Sequence, residues 1–171
     1  MDFNDLVKGR RSVRGFSDEP VSPEDIATIL EAARWAPSAG NRQPWHFYVA
    51  RDQAIKEELV DVALGQQFVA EASLVICVCA EPERSAERYG DRGRTLYCLQ
   101  DTAAAIQNIL LMVHHLGLAA CWIGAFDEQR CSEVLSLPDD RRPVALIPIG
   151  RGTQDPSPRS RRSMAEITDH I

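Results

Sequence analysis

Leu96-Tyr97-Cys98-Leu99-Gln100-Asp101-Thr102-Ala103-Ala104-Ala105-Ile106-Gln107-Asn108-Ile109-Leu110-Leu111-Met112-Val113-His114-His115-Leu116 is the stretch on which the fold turns. Leu96, Leu99, Ala103, Ile106, Leu110 and Val113 follow the 3-4 spacing of a heptad seam. Ala104, Ala105, Ile109, Leu111 and Met112 occupy much of the remaining circumference, and a helix apolar nearly all round must be buried nearly all round. In a chain of 171 residues, either this helix runs through the centre or a second subunit covers one side of it.

Outward from that helix, helices alternate with strands. On its N-terminal side Glu81 to Gly93 is densely charged and reads as a loop or excursion, and Ser73 to Ala80 is a near-continuous apolar strand, hence buried on both faces. Asp52 caps a helix running to about Leu64, and Trp45 to Ala50 reads as a strand. Ser22-Pro23-Glu24-Asp25 starts a helix with a capping serine, proline in the first turn and acids against the dipole, and Pro37 stops it. Phe3 to Gly9 is a short opening helix. On the C-terminal side Leu118 to Ala125 is a strand, Asp127 starts a short helix through Leu135, and Pro143 to Ile149 is a final strand. Helices and strands interleave without repeats, so residues 1–171 read as a single layered α+β domain.

Composition excludes several classes. A hydrophobic fraction of 44% is ample for a core, while a net charge of -6 argues against a nucleic-acid partner. The longest apolar run, Leu74 to Ala80, is far short of a membrane span, and Met-Asp-Phe-Asn-Asp lacks the order of a signal peptide. The expectation is a cytoplasmic protein, not membrane-bound, with its five cysteines reduced. Cys77 and Cys79 share a strand face. Cys98, Cys121 and Cys131 have no finger-like spacing, and His46, His114, His115 and His170 form no ligand motif, so no metal site is expected.

Against the acidic total stand two basic clusters, Arg10-Arg11-Ser12-Val13-Arg14 and Arg159-Ser160-Arg161-Arg162. Their forked donors suit a phosphate. Between them Pro37-Ser38-Ala39-Gly40-Asn41-Arg42-Gln43-Pro44-Trp45 is rich in amides and hydroxyls able to hydrogen-bond a heteroaromatic ring. No G-x-G-x-x-G follows a first strand and no Walker loop is present. Nor does a paired Asp/Glu, Ser/His or Cys/His arrangement stand at a strand end. An enzyme built this way leaves its chemistry to a phosphorylated, ring-bearing cofactor.

The chain resembles the nitroreductase-like family of FMN-dependent oxidoreductases. The resemblance rests on Arg10 to Phe16, Ala36 to Trp45, Gly117 to Gly124 and Arg161 to Ile167, in order and spacing over essentially the whole chain. It implies an α+β fold with a central mixed β-sheet flanked by helices, in an interlocked homodimer with two FMN sites at the interface. It implies that Arg10, Ser12 and Arg161 surround the FMN phosphate and ribityl chain, with Arg11 and Arg159 as helpers, and that Arg14 lies near the pyrimidine side of the ring. Pro37, Ser38, Ala39 and Asn41 would reach the flavin from the other subunit, with Gln43 buttressing that loop. Ile123 and Gly124 would lie by the ring, where a backbone N–H can donate to N5. Glu81 to Gly93 would be the remnant of the excursion that roofs the substrate pocket.

The activity so implied is transfer of two electrons from NADH or NADPH, by a ping-pong mechanism, to a small acceptor such as a nitroaromatic or quinone. A cation near the pyrimidine edge, Arg14, would stabilise the reduced ring, and no dedicated protein acid or base is needed. The alternatives are a non-catalytic flavin carrier or redox sensor, and a flavin-modifying or dehalogenating relative.

Overall fold

The computed structural model describes residues 2–171. Its elements, in chain order, are α1 (Phe3–Gly9), α2 (Pro23–Arg34), β1 (Trp45–Ala50), α3 (Gln53–Val62), α4 (Phe68–Glu71), β2 (Leu74–Ala80), α5 (Pro82–Arg92), α6 (Cys98–His115), β3 (Ala119–Ala120), α7 (Glu128–Val134) and β4 (Arg142–Gly150). The helix starts form where the capping residues stand. Ser22, Asp52 and Asp127 each accept a hydrogen bond from the backbone N–H three residues on, at 3.0, 3.2 and 3.0 Å.

The strands form one sheet in the order β1-β2-β4-β3. Every pairing between them is antiparallel. The expected mixed sheet is therefore corrected: parallel pairing is reduced to an isolated contact of Ser12 with Ala120 beside β3. All seven residues of β2 are buried. Side chains alternate across a strand, so Leu74, Ile76 and Val78 face α2 and α6, while Val75, Cys77 and Cys79 face α3, α4 and α7. The result is three layers, helices on both sides of the sheet.

Two expectations need correcting in detail. The charged segment after β2 is helical. Pro82 occupies the first turn of α5, and its charges form a solvated face with only Ser85 buried. Gly90 (φ 56°, ψ -141°) kinks it, and at Gly93 a Cβ would meet the Ser85 carbonyl oxygen at 2.5 Å, so glycine permits the chain to fold back there. The strand expected over Leu118 to Ala125 is interrupted. Ala120 pairs with Ile149 and Ile123 with Leu146 in one register, but the intervening partner is Pro148. Cys121 N–H donates to Pro148 O at 3.3 Å, and proline has no N–H to return the bond.

The seam on α6 faces inward. Ile106, Leu110 and Val113 are at most 5% exposed and pack under the chain's own sheet. The side left half-covered carries Ala104, Leu111 and Met112. The helical run Pro82–His115 is long and apolar enough to cross a membrane by length and composition, a test that a core helix also passes. All five cysteines are free and buried, and the described residues contain no metal-binding cluster.

Candidate functional site

Both chain ends meet at one cleft. The segment after β4 runs along residues 15–17: Ser17 N–H donates to Arg151 O at 2.9 Å, Thr153 N–H donates to Gly15 O at 3.0 Å, and Phe16 pairs with Gly152. The Gln154 and Thr153 side chains pack onto Gly15, with Gln154 Nε2 2.7 Å from where a Cβ would stand. This zipper delivers Arg159 and Arg161 to Arg10, Arg11, Ser12 and Arg14, which together line a cleft of about 510 Å³ with Gln154, Pro156 and Ser157.

The charge balance of the cleft is the informative part. Eight arginines elsewhere pair with carboxylates. Among the described residues none of the five cleft arginines does so, although the chain carries more acids than bases. Arg11 and Arg161 instead donate to backbone carbonyls of their own segments. Five clustered cations without an ion-pair partner among the described residues are chemically suited to an anion.

The floor of the cleft continues into the segment between α6 and α7. Val13 N–H donates to Ala120 O at 3.0 Å. Cys121 lies beside Ser12; burial raises its thiol pKa, while Arg14, Ser12 and Arg10 pull the other way. His114 lines a small adjoining cavity with Arg10 and Arg11, its pKa lowered by burial and by those two arginines. Cys121 and His114 were not singled out as site residues in the sequence, where neither has a motif. Ile123 is buried on Leu146, and Gly124 is exposed with open space where a Cβ would project.

The loop from Pro37 to Gln43 is built with equal care but elsewhere. Gly40, Asn41 and Gln43 all have positive φ (54°, 54° and 51°), which is costly for the two that carry side chains. Side chains over-determine the shape. Ser38 Oγ accepts from Gln43 N–H at 2.9 Å, and Gln43 Nε2 donates to Asn41 Oδ1 at 3.1 Å. Asp101, buried on α6, accepts from Ala39 N–H at 3.0 Å through Oδ1, while its Oδ2 is buried without a partner. Burial raises the Asp101 pKa and the Ala39 bond offsets part of the rise. An acid inside so apolar a helix was the sequence signal for this anchor.

One chain thus groups Arg10, Arg11, Ser12, Arg14, Arg159 and Arg161 but does not bring Pro37, Ser38, Ala39, Asn41 or Gln43 to the lining of that cleft. A groove of about 340 Å³ lined by Phe3, Leu6, Ala32, Leu111 and Met112 lies over α1, α2 and α6, with Phe3 70% and nearby Trp35 73% exposed. Exposed aromatics beside an apolar groove mark an interaction surface.

The sequence pattern of the Nitroreductase family matches residues 7–76 and 61–151. A protein of Archaeoglobus fulgidus whose name proposes an NADH dehydrogenase/NAD(P)H nitroreductase is 38% identical over 149 residues, covering 85% of this chain and 82% of its own length. An oxygen-insensitive NADPH nitroreductase of Salmonella typhimurium is 31% identical over 173 residues, covering 97% and 72%. Among solved structures, a nitroreductase family protein from Streptococcus pneumoniae superposes with a TM-score of 0.91 at 27% identity, covering 99% of this chain and 100% of that one.

Proposed function

Because the chain belongs to the nitroreductase family, we propose that it is an NAD(P)H oxidoreductase working through FMN bound between two copies of the chain. The observation that carries this reading is the cleft of five unpaired arginines contributed by both termini. That cleft suits a terminal phosphate, and no dinucleotide fingerprint accompanies it, which favours FMN over FAD.

Arg10, Ser12 and Arg161 hold the phosphate end, with Arg11 and Arg159 adding charge. Arg14 lies toward the pyrimidine side and favours the reduced ring electrostatically. Ile123 and Gly124 line the ring, where the bare Gly124 backbone allows close approach. In the homodimer the groove over α1, α2 and α6 is covered by its symmetry mate, and Pro37, Ser38, Ala39 and Asn41 of one protomer complete the cleft of the other, held in shape by Gln43 and Asp101. The chemistry supplied by bound FMN is two-electron transfer from NADH or NADPH to a small acceptor such as a nitroaromatic or quinone. Donor and acceptor occupy one pocket in turn, which gives ping-pong kinetics. Five buried, unbridged thiols fit the reducing cytoplasm.

The test is chemical. Protein purified or reconstituted with flavin should release FMN at about one per chain and be bleached by NADH or NADPH, then reoxidised by a quinone or nitroarene. Release of FAD, or failure to bind any flavin, would sink the proposal.

A further inference from the structure

A second set of unpaired cations lies on α5. The carboxylates on and just before this helix are all engaged. Glu81 is bound by Arg141 at 3.2 Å, Glu83 and Asp91 by Arg94 at 2.7 and 2.6 Å, and Glu87 by Arg42. Arg84 spends its Nε on the Arg42 carbonyl at 2.6 Å. Arg88 and Arg92, one turn apart and exposed, are left without a carboxylate among the described residues.

Tyrosines hold them instead. The Arg88 guanidinium carbon lies 5.5 Å from the Tyr89 ring centroid and that of Arg92 5.3 Å from the Tyr97 centroid, while the two rings meet edge-on at 5.2 Å. Arg92 Nε donates to Tyr97 Oη at 3.0 Å. A guanidinium held against a ring face keeps N–H groups free, and that fork matches a phosphate. The patch adjoins the loop from Pro37 to Gln43. A Cβ at Gly40 would come within 2.5 Å of Tyr89 Oη and 3.2 Å of Arg88 Cδ and Nε.

NADH and NADPH differ in one group, the 2′-phosphate on the adenosine half. In the proposed homodimer the nicotinamide would enter a site completed by Ser38 to Asn41, and the Arg88–Arg92 patch beside Gly40 would be the neighbouring surface open to the adenosine half. We infer that Arg88 and Arg92, on their tyrosine platform, bind the adenosine 2′-phosphate and make NADPH the preferred donor. This inference rests on the FMN-dependent reading above. The rings of Tyr89 and Tyr97 add an aromatic surface suited to adenine.

The experiment compares the holoenzyme with Arg88→Ala, Arg92→Ala and the double variant. It measures kcat/KM for NADPH and NADH, flavin content, and calorimetric binding of 2′,5′-ADP against 5′-AMP. Wild type should favour NADPH and 2′,5′-ADP by at least about tenfold, the worth of charge-assisted hydrogen bonds to a phosphate. The double variant should lose most of that preference with NADH kinetics within about twofold of wild type, and Arg88→Lys should keep part of it, as expected for a charge contact. In wild type, added salt should weaken 2′,5′-ADP binding and leave 5′-AMP nearly unchanged. Equal use of both donors by wild type, an unchanged ratio in the double variant, or equal losses for both donors overturns the inference. So does a variant that alters only the choice between anionic and neutral acceptors. A protein that binds no FMN defeats the parent reading alone, because the comparison of 2′,5′-ADP with 5′-AMP needs no flavin and still decides whether the arginines read the phosphate.

Discussion

Replacing Arg10 by alanine should move two properties in opposite directions. Arg10 lines the cleft together with Arg11, Arg14, Arg159 and Arg161, like charges taken to lie on the order of 8 Å apart, one Debye length at physiological salt. At ~8 Å in water each such pair repels by about 0.5 kcal/mol, or ~2 kcal/mol over four partners. Screening at physiological salt, with a Debye length of about 8 Å, leaves roughly 0.8 kcal/mol. Asp155, which shares a small adjoining cavity with Arg10, offsets part of this. The flavin-free protein should therefore gain about 0.5 kcal/mol, a rise in Tm of about 1–2 °C for a chain of this size. FMN should meanwhile lose about 1.5–3 kcal/mol of binding, roughly 10- to 150-fold in Kd. Riboflavin, lacking the phosphate, should bind wild type more weakly than FMN does and be nearly indifferent to the substitution. Calorimetric titration with both flavins, plus melting of the flavin-free protein, measures all three quantities. If Arg10→Ala lowers the flavin-free Tm by several degrees, or weakens riboflavin as much as FMN, the arginine is structural and the phosphate argument fails.

Arg14→Gln should leave FMN binding largely intact and lower the midpoint potential by tens of millivolts, at about 30 mV per tenfold loss of preference for the reduced ring; lysine should recover part, and a spectroscopic redox titration showing no shift refutes the role. Leu111→Asp or Met112→Asp, on the half-covered side of α6, should convert a dimer to monomer by light scattering, whereas Ile106→Asp should unfold the chain by burying a charge at a cost of at least several kcal/mol; a flavin-loaded monomer in wild type would refute the shared site. Glu128, in a two-pronged bond with Arg142 at 2.8 and 2.9 Å, has its pKa lowered by that partner. A carboxyl whose pKa falls on folding contributes stability above its unfolded value near 4.5 and loses it as pH drops through the folded value. Because the pair is about half exposed, Glu128→Gln should cost under ~1 kcal/mol at pH 7 and nothing at pH 2; an equal loss at both pH values would show that packing, not charge, is responsible.

Local chemistry was legible from the residues alone. Ser22, Asp52 and Asp127 announced their helices because a cap acts within three residues, and the unbroken apolar run of β2 could only be a strand buried on both faces. What failed depended on partners distant in sequence. The charge density of α5 hid a helix whose acids are matched by Arg42, Arg94 and Arg141. Nothing in residues 118–125 discloses that their neighbour would be Pro148. Spacing showed that Ile106, Leu110 and Val113 share a face, yet spacing cannot say whether the chain's own sheet or another copy covers it. At the site, the basic clusters were visible in the sequence, and the role proposed for them came through family resemblance. The zipper of residues 15–17 with 151–153 and the grip of Asp101 on Ala39 leave no pattern in sequence.

That zipper also separates the cleft from the sheet in kind. All four strands are complete by Gly150, so Arg159 and Arg161 lie beyond the last strand and add nothing to the sheet. They meet Arg10 across about 150 residues of sequence, a long-range closure of the kind that forms slowly. A variant cut just after β4 should therefore keep its layers and its core yet lose the five-arginine cleft, and with it the binding proposed for that cleft.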